Sequence, residues 1–176
     1  MKIGILMMEH ANTGQHSIMP EVAQTLMDWG VSVDLIFPER ELIDIANIRV
    51  EHDLYVLKAS TNLAMSMAGA LHAIGAAVLN PYPVAVVLRN KIITERILRT
   101  AGVPSPDTFV AARAEHLVPL LDAGPLIIKP YRGSRGHGVR VVWDADELDE
   151  ISSTDGPLFA QRYRKPEGRD RKIYCI

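Results

Sequence analysis

Residues 126–142 read Leu126-Ile127-Ile128-Lys129-Pro130-Tyr131-Arg132-Gly133-Ser134-Arg135-Gly136-His137-Gly138-Val139-Arg140-Val141-Val142. An apolar strand carrying Lys129 runs into a glycine-rich loop and then into a second apolar strand. A plain hairpin turn does not need Gly133, Gly136 and Gly138 together. Glycines in a strand-to-strand loop let backbone N–H groups approach a ligand closely, and clustered N–H donors suit anionic oxygens, so phosphate is the natural guest. Arg132, Arg135 and His137 add positive charge to the same loop. The order G-x-x-G-x-G between two strands lacks the Gly-Lys-Ser/Thr ending of a P-loop. It also differs from the G-x-G-x-x-G of a strand-to-helix turn, which disfavours dinucleotide binding.

Two lysines stand out around this hairpin. Lys129 ends an apolar strand, where an ammonium is costly unless it meets an anion or reaches water. Lys91 follows the cap residue Asn90 at the positive end of a helix over 90–101, whose Ile93, Ile97, Leu98 and Ala101 share one face and which Gly102 closes. Glu95 lies at i+4 in the weaker Lys-before-Glu orientation, so helix stability leaves Lys91 unexplained while a ligand phosphate accounts for it. An exposed strand end and an ordinary surface lysine are the plain alternatives. Downstream, Leu158 to Tyr163 reads as a strand leading into Glu167-Gly168-Arg169-Asp170-Arg171. Backbone at such a strand end can hydrogen-bond a purine and a nearby carboxylate can accept bonds from ribose hydroxyls, with a charged surface turn as the bland alternative.

Upstream of the helix the pattern changes. Lys2 to Met8, Val31 to Phe37 and Asp53 to Leu57 are continuous apolar runs of the kind expected for strands buried on both faces. Helices over 18–29 and 62–74, closed by Gly30 and Gly75, supply the crossovers, and Ala76 to Leu79 is a fourth strand. The fold class is α/β: an N-terminal doubly wound parallel sheet followed by an α+β, mainly antiparallel sheet. The turn Asn80-Pro81-Tyr82-Pro83 marks the boundary, giving domains 1–82 and 83–176. In the second half, Thr108 to Ala111, Leu126 to Lys129, Val139 to Trp143 and Leu158 to Tyr163 are the strands. A short helix near Glu115 to Leu121 and an acidic helix starting at Asp144 complete it. Lys172 to Ile176 begins another strand and stops, which suggests a truncation.

The 176 residues suit one large domain or two small ones. Nineteen basic against 21 acidic residues exclude a strongly basic polyanion-binding surface, so no nucleic-acid partner is expected. Cys175 is the single cysteine, which excludes an intrachain disulfide and fits a reducing cytoplasm. The uncharged run from Ala59 to Leu88 is broken by polar residues and a turn, so no membrane span is expected either.

Taken in order, these pieces resemble the ATP-grasp superfamily, and most closely its RimK-like branch of ATP-dependent carboxylate–amine ligases. The resemblance rests on Asn90-Lys91 and its helix, Ala101 to Thr108, Pro125 to Pro130, Gly133 to Val139, Gln161-Arg162-Tyr163 and Gly168-Arg169-Asp170-Arg171. It implies a pre-ATP-grasp domain over the first sheet and the lid subdomain over the second. Lys91 and Lys129 match the two lysines that contact ATP phosphates. Gly133, Ser134, Arg135, Gly136, His137 and Gly138 match the flap above them. Gln161, Arg162 and Tyr163 match the hinge whose backbone reads adenine, and Asp170 matches the acidic residue near the nucleotide. Arg162 replaces the usual acidic residue after the glutamine. The catalytic residues are not assigned. Mg2+ is implied as well, with its carboxylate and Asn ligands beyond Ile176, so the chain alone is expected to be inactive.

The activity so implied activates a small-molecule or peptide carboxylate as an acyl phosphate, which an amine converts to an amide, releasing ADP. A kinase-like ATP-grasp protein acting on a hydroxyl, a non-catalytic nucleotide-binding module and an NAD-dependent oxidoreductase are the alternatives. Substrate identity and oligomeric state, a homo-oligomer included, are not legible.

Overall fold

The computed structural model describes residues 1–8, 17–133, 136–151, 156–166 and 168. Two compact units divide the chain, Met1–Val87 and Leu88–Ile176. In the first, β1 (Lys2–Leu6), β2 (Ser32–Ile36), β3 (Leu54–Leu57) and β4 (Val78–Leu79) form a parallel sheet in the order β2-β1-β3-β4. The crossovers are α1 (Met19–Asp28) and α2 (Asn62–Ala73). Period-two alternation along β1 sends Ile3 and Ile5 against Met19 and Ala23 of α1, while Leu6 joins Leu57 and the α2 residues Met65, Ala68 and Leu71. Both faces of β1 are covered, as its unbroken apolar run requires, and each fully buried Leu or Ile contributes about 1.5–3 kcal/mol.

Two strands depart from the sequence reading. β2 is an edge strand with Ser32, Asp34 and Leu35 exposed, so it is not buried on both faces. β4 keeps only Val78 and Leu79 of the four expected residues. The turn at Asn80 is real: Asn80 adopts φ 59° and its side-chain amide donates to Leu57 O at 3.0 Å. It leads straight into α3 (Tyr82–Arg89), a helix absent from the sequence-based expectation, with Pro83 in the first turn where a missing N–H is harmless. The two units divide inside α3, past the turn. The uncharged run thus spreads over α2, β4 and α3, and no helix among the described residues is long and apolar enough to cross a membrane.

The second unit begins with α4 (Lys91–Thr100) and holds an antiparallel sheet in the order β5-β8-β6-β7: β5 (Thr108–Ala111), β6 (Leu126–Pro130), β7 (Arg140–Val142) and β8 (Leu158–Arg162). One face buries Leu126, Ile128, Val142, Leu158 and Ala160 against Leu117 and Leu148. Leu117 lies in a 3-10 helix, Ala114–Ala123, at the place of the short helix expected near Glu115 to Leu121. Pro119 inside it has no N–H to give and its ring opposes the carbonyl four residues earlier. Leu148 belongs to α5 (Ala145–Asp149). There Asp144 caps Glu147 N at 2.9 Å and Glu147 reaches back to Trp143 N at 2.7 Å, which places the acidic helix where the sequence put it. The expected strand over 172–176 lies outside the described residues.

Candidate functional site

Alternation across the second sheet builds the site. With Leu126, Ile128 and Ala160 turned into the core, Thr108, Ile127, Lys129, Phe159 and Gln161 share the other face, and Thr108 and Ile127 pair directly with Gln161 from either side. Helix α4 reaches this face. Asn90 starts it by accepting from Ile92 N at 3.1 Å and Ile93 N at 3.4 Å. Lys91, Glu95 and Arg99, one turn apart, then bond to the sheet and its connections. Lys91 Nζ donates to Pro130 O at 2.9 Å and Gly133 O at 3.1 Å, and its N–H donates to Tyr131 O at 2.9 Å. Glu95 accepts from Arg99 Nε at 2.7 Å and from Gln161 Nε2 at 3.5 Å. Arg99 also donates to Pro106 O. The apolar stripe Ile93, Ile97 and Leu98 is left between 38% and 50% exposed.

Lys91 therefore has a structural explanation that the sequence withheld: it ties the start of the hairpin loop to the helix. Two of the ammonium's three donors are engaged with carbonyls, which leaves one for a ligand. Lys129 Nζ donates to Gln161 Oε1 at 2.7 Å, and Gln161 Nε2 donates to Thr108 Oγ1 at 3.0 Å. Burial pushes the pKa of Lys129 down, opposed by the Glu95 carboxylate. Burial also lowers Lys91, and the charge of Lys129 lowers it further, so the two ammonium groups lie within each other's field. Burial lowers Arg89 at the end of α3, with the Arg132 guanidinium adding to the effect. Arg132 itself lies over the Tyr131 ring, 5.1 Å from its centroid. Two like-charged pairs around one hairpin are unfavourable alone, and a bound polyanion relieves both.

In the loop, Gly133, Gly136 and Gly138 have φ of 152°, 74° and 70°. At Gly138 a Cβ would also stand 2.8 Å from Pro130 Cγ, so sterics and backbone both demand glycine. Gly136, His137 and Gly138 are exposed in the turn. Ser134, Arg135 and Asp170 lie outside the described residues.

The end of β8 differs from the expected hinge. Arg162 N donates to Asp107 O at 2.8 Å and Tyr163 N to Pro125 O at 3.0 Å. Both N–H groups are thus engaged by carbonyls of the neighbouring connections. The Arg162 guanidinium donates to Leu120 O at 3.0 Å and to Gly124 O, fastening β8 to the 3-10 helix. The Tyr163 ring meets Trp143 edge to face, centroids 5.9 Å apart. Gln161, read for its backbone, instead buries its side chain against Lys129.

Sequence reasoning passed over Arg89 and Thr108 and weighed Glu95 only as the i+4 neighbour of Lys91. The one signal available was the i, i+4, i+8 spacing of Lys91, Glu95 and Arg99, which equally describes a solvated face. Among the described residues no cluster of His, Cys, Asp or Glu could hold a metal ion. A separate cavity of about 240 Å³ in the first unit, lined by Ile43, Ile45, Ile48, Leu63 and Met67, is apolar and lacks the cations found here.

No family model matches the sequence. Among curated proteins, the chain is 28% identical over 158 residues to a D-alanine–D-alanine ligase of Delftia acidovorans, covering 88% of this chain and 45% of the ligase. It is 28% identical over 166 residues to the glutamate–LysW ligase ArgX of Sulfurisphaera tokodaii, covering 88% of this chain and 58% of that one. The chain thus spans about half the length of the curated relatives it matches. In structure it superposes on a RimK-domain ATP-grasp protein of Sphaerobacter thermophilus with TM-score 0.75 at 18% identity, over 96% of this chain and 66% of the other. The D-alanine–D-alanine ligase of Bacillus anthracis complexed with ATP gives TM-score 0.65 at 23% identity, over 94% and 59%. The parallel sheet followed by the antiparallel one is the ATP-grasp architecture, and the resemblance read from the motifs is borne out.

Proposed function

We propose that this chain, which has the fold of the ATP-grasp ligases and resembles several of them in sequence, binds ATP within an ATP-dependent carboxylate–amine ligase of the RimK-like kind. The observation that carries the reading is that Lys91 Nζ donates to Pro130 O and Gly133 O, at the end of the strand that carries Lys129, which brings both lysines beside the glycine hairpin. Among the described residues Lys129 gives one donor to Gln161, so two of its three would serve phosphate oxygens. Gly133 to Gly138 would cover the phosphates and exclude water, and Arg89 and Arg132 would add positive charge. Adenine would be read by carbonyls at the end of β8 and by a donor past Tyr163, with Asp170 near the sugar. The first unit would serve as the pre-ATP-grasp domain and the second as the lid.

ATP supplies the phosphoryl group that activates the carboxylate, and an amine then completes the amide. D-alanine and glutamate, which appear in the names of the relatives, are amino acids, so an amino-acid or peptide carboxylate and an amine are the proposed substrate classes. Those relatives are ligases, which disfavours a hydroxyl kinase. Mg2+ belongs to the proposal, but the described residues offer it no site and no step here runs through it.

Calorimetric titration of the chain with ATP tests the site. Lys129→Ala is expected to weaken binding tenfold to a hundredfold, the loss of a charge-assisted hydrogen bond of roughly 1.5–3 kcal/mol. Unchanged affinity overturns the assignment. For the complete protein, ADP release with amino-acid acceptors should accompany an amide and no phosphoester.

A further inference from the structure

The side chain of Gln161 sits at the middle of a chain of hydrogen bonds whose direction is fixed by an ammonium that can only donate and a carboxylate that can only accept. Thr108 Oγ1 donates to Pro106 O at 2.9 Å and accepts from Gln161 Nε2 at 3.0 Å. Glu95 Oε2, at 3.5 Å from the same nitrogen, is also an acceptor. The amide is therefore held with Oε1 toward Lys129, whose Nζ is 2.7 Å distant. Turning the amide over would set its NH2 against an ammonium and its oxygen against the Glu95 carboxylate. Gln161 is 8% exposed, so neither group could be repaired by water.

We propose that Gln161, oriented by Thr108 and Glu95, is a positioning residue that holds the Lys129 ammonium charged and aimed along the face opposite the core. This rests on the nucleotide reading above for its purpose, though not for its geometry. Among the described residues, charged groups act on Lys129 from one element. From α4 come Glu95, which favours the ammonium, and Lys91, which shares its field, with Arg99 bonded to the other oxygen of Glu95. From the flanking strands, Arg162 and Arg140 pair with the core-facing Leu126 and Ile128 and so lie on the opposite face from Lys129. Gln161 is thus the neutral acceptor that satisfies Lys129 without competing with phosphate for it, as a carboxylate at that position would.

Two measurements on the full chain separate the inference from its premise. Competitive amine labelling with acetic anhydride across a pH series, read by mass spectrometry, reports the titration of Lys129 without nucleotide. Gln161→Leu is expected to move that titration down by about one pH unit and Gln161→Glu to move it up, because one unit corresponds to the loss or gain of a single charge-assisted bond. Thr108→Val, a milder lesion, should move it down by less, with the fold retained. An unmoved Lys129 titration in both Gln161→Leu and Thr108→Val overturns the inference, whatever ATP does. ATP titration is the second measurement: Gln161→Leu and Gln161→Glu should each weaken binding about tenfold, by misplacing the ammonium and by competing for it respectively. Should the parent chain bind no ATP while the labelling shifts appear, the proposed function falls and takes the network's assigned purpose with it.

Discussion

Lys129 and Lys91 are charged groups held where charge is disfavoured, and this sets a pH signature. Their folded-state pKa values lie below the ordinary 10.5. Between the lowered values and 10.5, the unfolded chain holds more protons than the folded one, so these lysines make stability rise with pH across that window. Phosphate affinity runs the other way, because the ammonium that attracts the anion is being lost. Referred to Lys129→Met as baseline, thermal melts without ATP should gain stability on the alkaline side while ATP titrations lose affinity. Parallel slopes would remove Lys129 from the phosphate site. Much of this residue-level detail was hidden in the sequence. Lys129 and the glycines announced themselves, but Gln161 is 32 residues from Lys129, 53 from Thr108 and 66 from Glu95, separations that only the sheet pairing and the docking of α4 on it close.

The hairpin and α4 show what local pattern can and cannot say about an element. Gly138 was legible as a loop glycine, and the structure adds its reason, a φ of 70° with Pro130 packed where a side chain would begin. Gly138→Val is expected to destabilise the protein by about 1–3 kcal/mol through backbone strain and to weaken ATP binding together with it, as checked by urea unfolding and titration. A stable variant with intact binding would show that the turn tolerates another course. In α4 the cap at Asn90 was readable, since Asn before an amphipathic run is a local signal. Its rotation was not. An apolar stripe ordinarily marks the packed face, yet here the charged stripe bonds to the sheet and Ile93, Ile97 and Leu98 stay exposed. The helix at 114–123 was legible but its 3-10 winding was not: Pro119 was there to be seen, but a proline in a short helix does not say which tighter winding replaces it.

At the scale of the molecule, each unit has its own core. Leu126 is fully buried in the second unit among Ile128, Val142, Leu148 and Ala160. Leu126→Ala is expected to cost about 2–5 kcal/mol, as large-to-small changes in packed cores do. In scanning calorimetry the loss should fall on one transition and spare the other, and equal displacement of the whole endotherm would show the two cores melting as one. The division into a parallel and an antiparallel half was legible because buried parallel strands read as unbroken apolar runs while the second half alternates around glycine turns. Its position inside α3 was not, since Asn80 and two prolines are a stronger local mark than a helix that belongs to both halves in sequence. The chain's two tryptophans are also divided between the units, Trp29 in the first and Trp143 in the second. Because Trp143 leans on Tyr163 just past β8, its emission is tied to whatever settles at that strand end. Replacing Trp29 by Phe leaves a single tryptophan, excited selectively at the red edge, as an unlabelled optical gauge of occupancy that the protein carries in its own covalent structure.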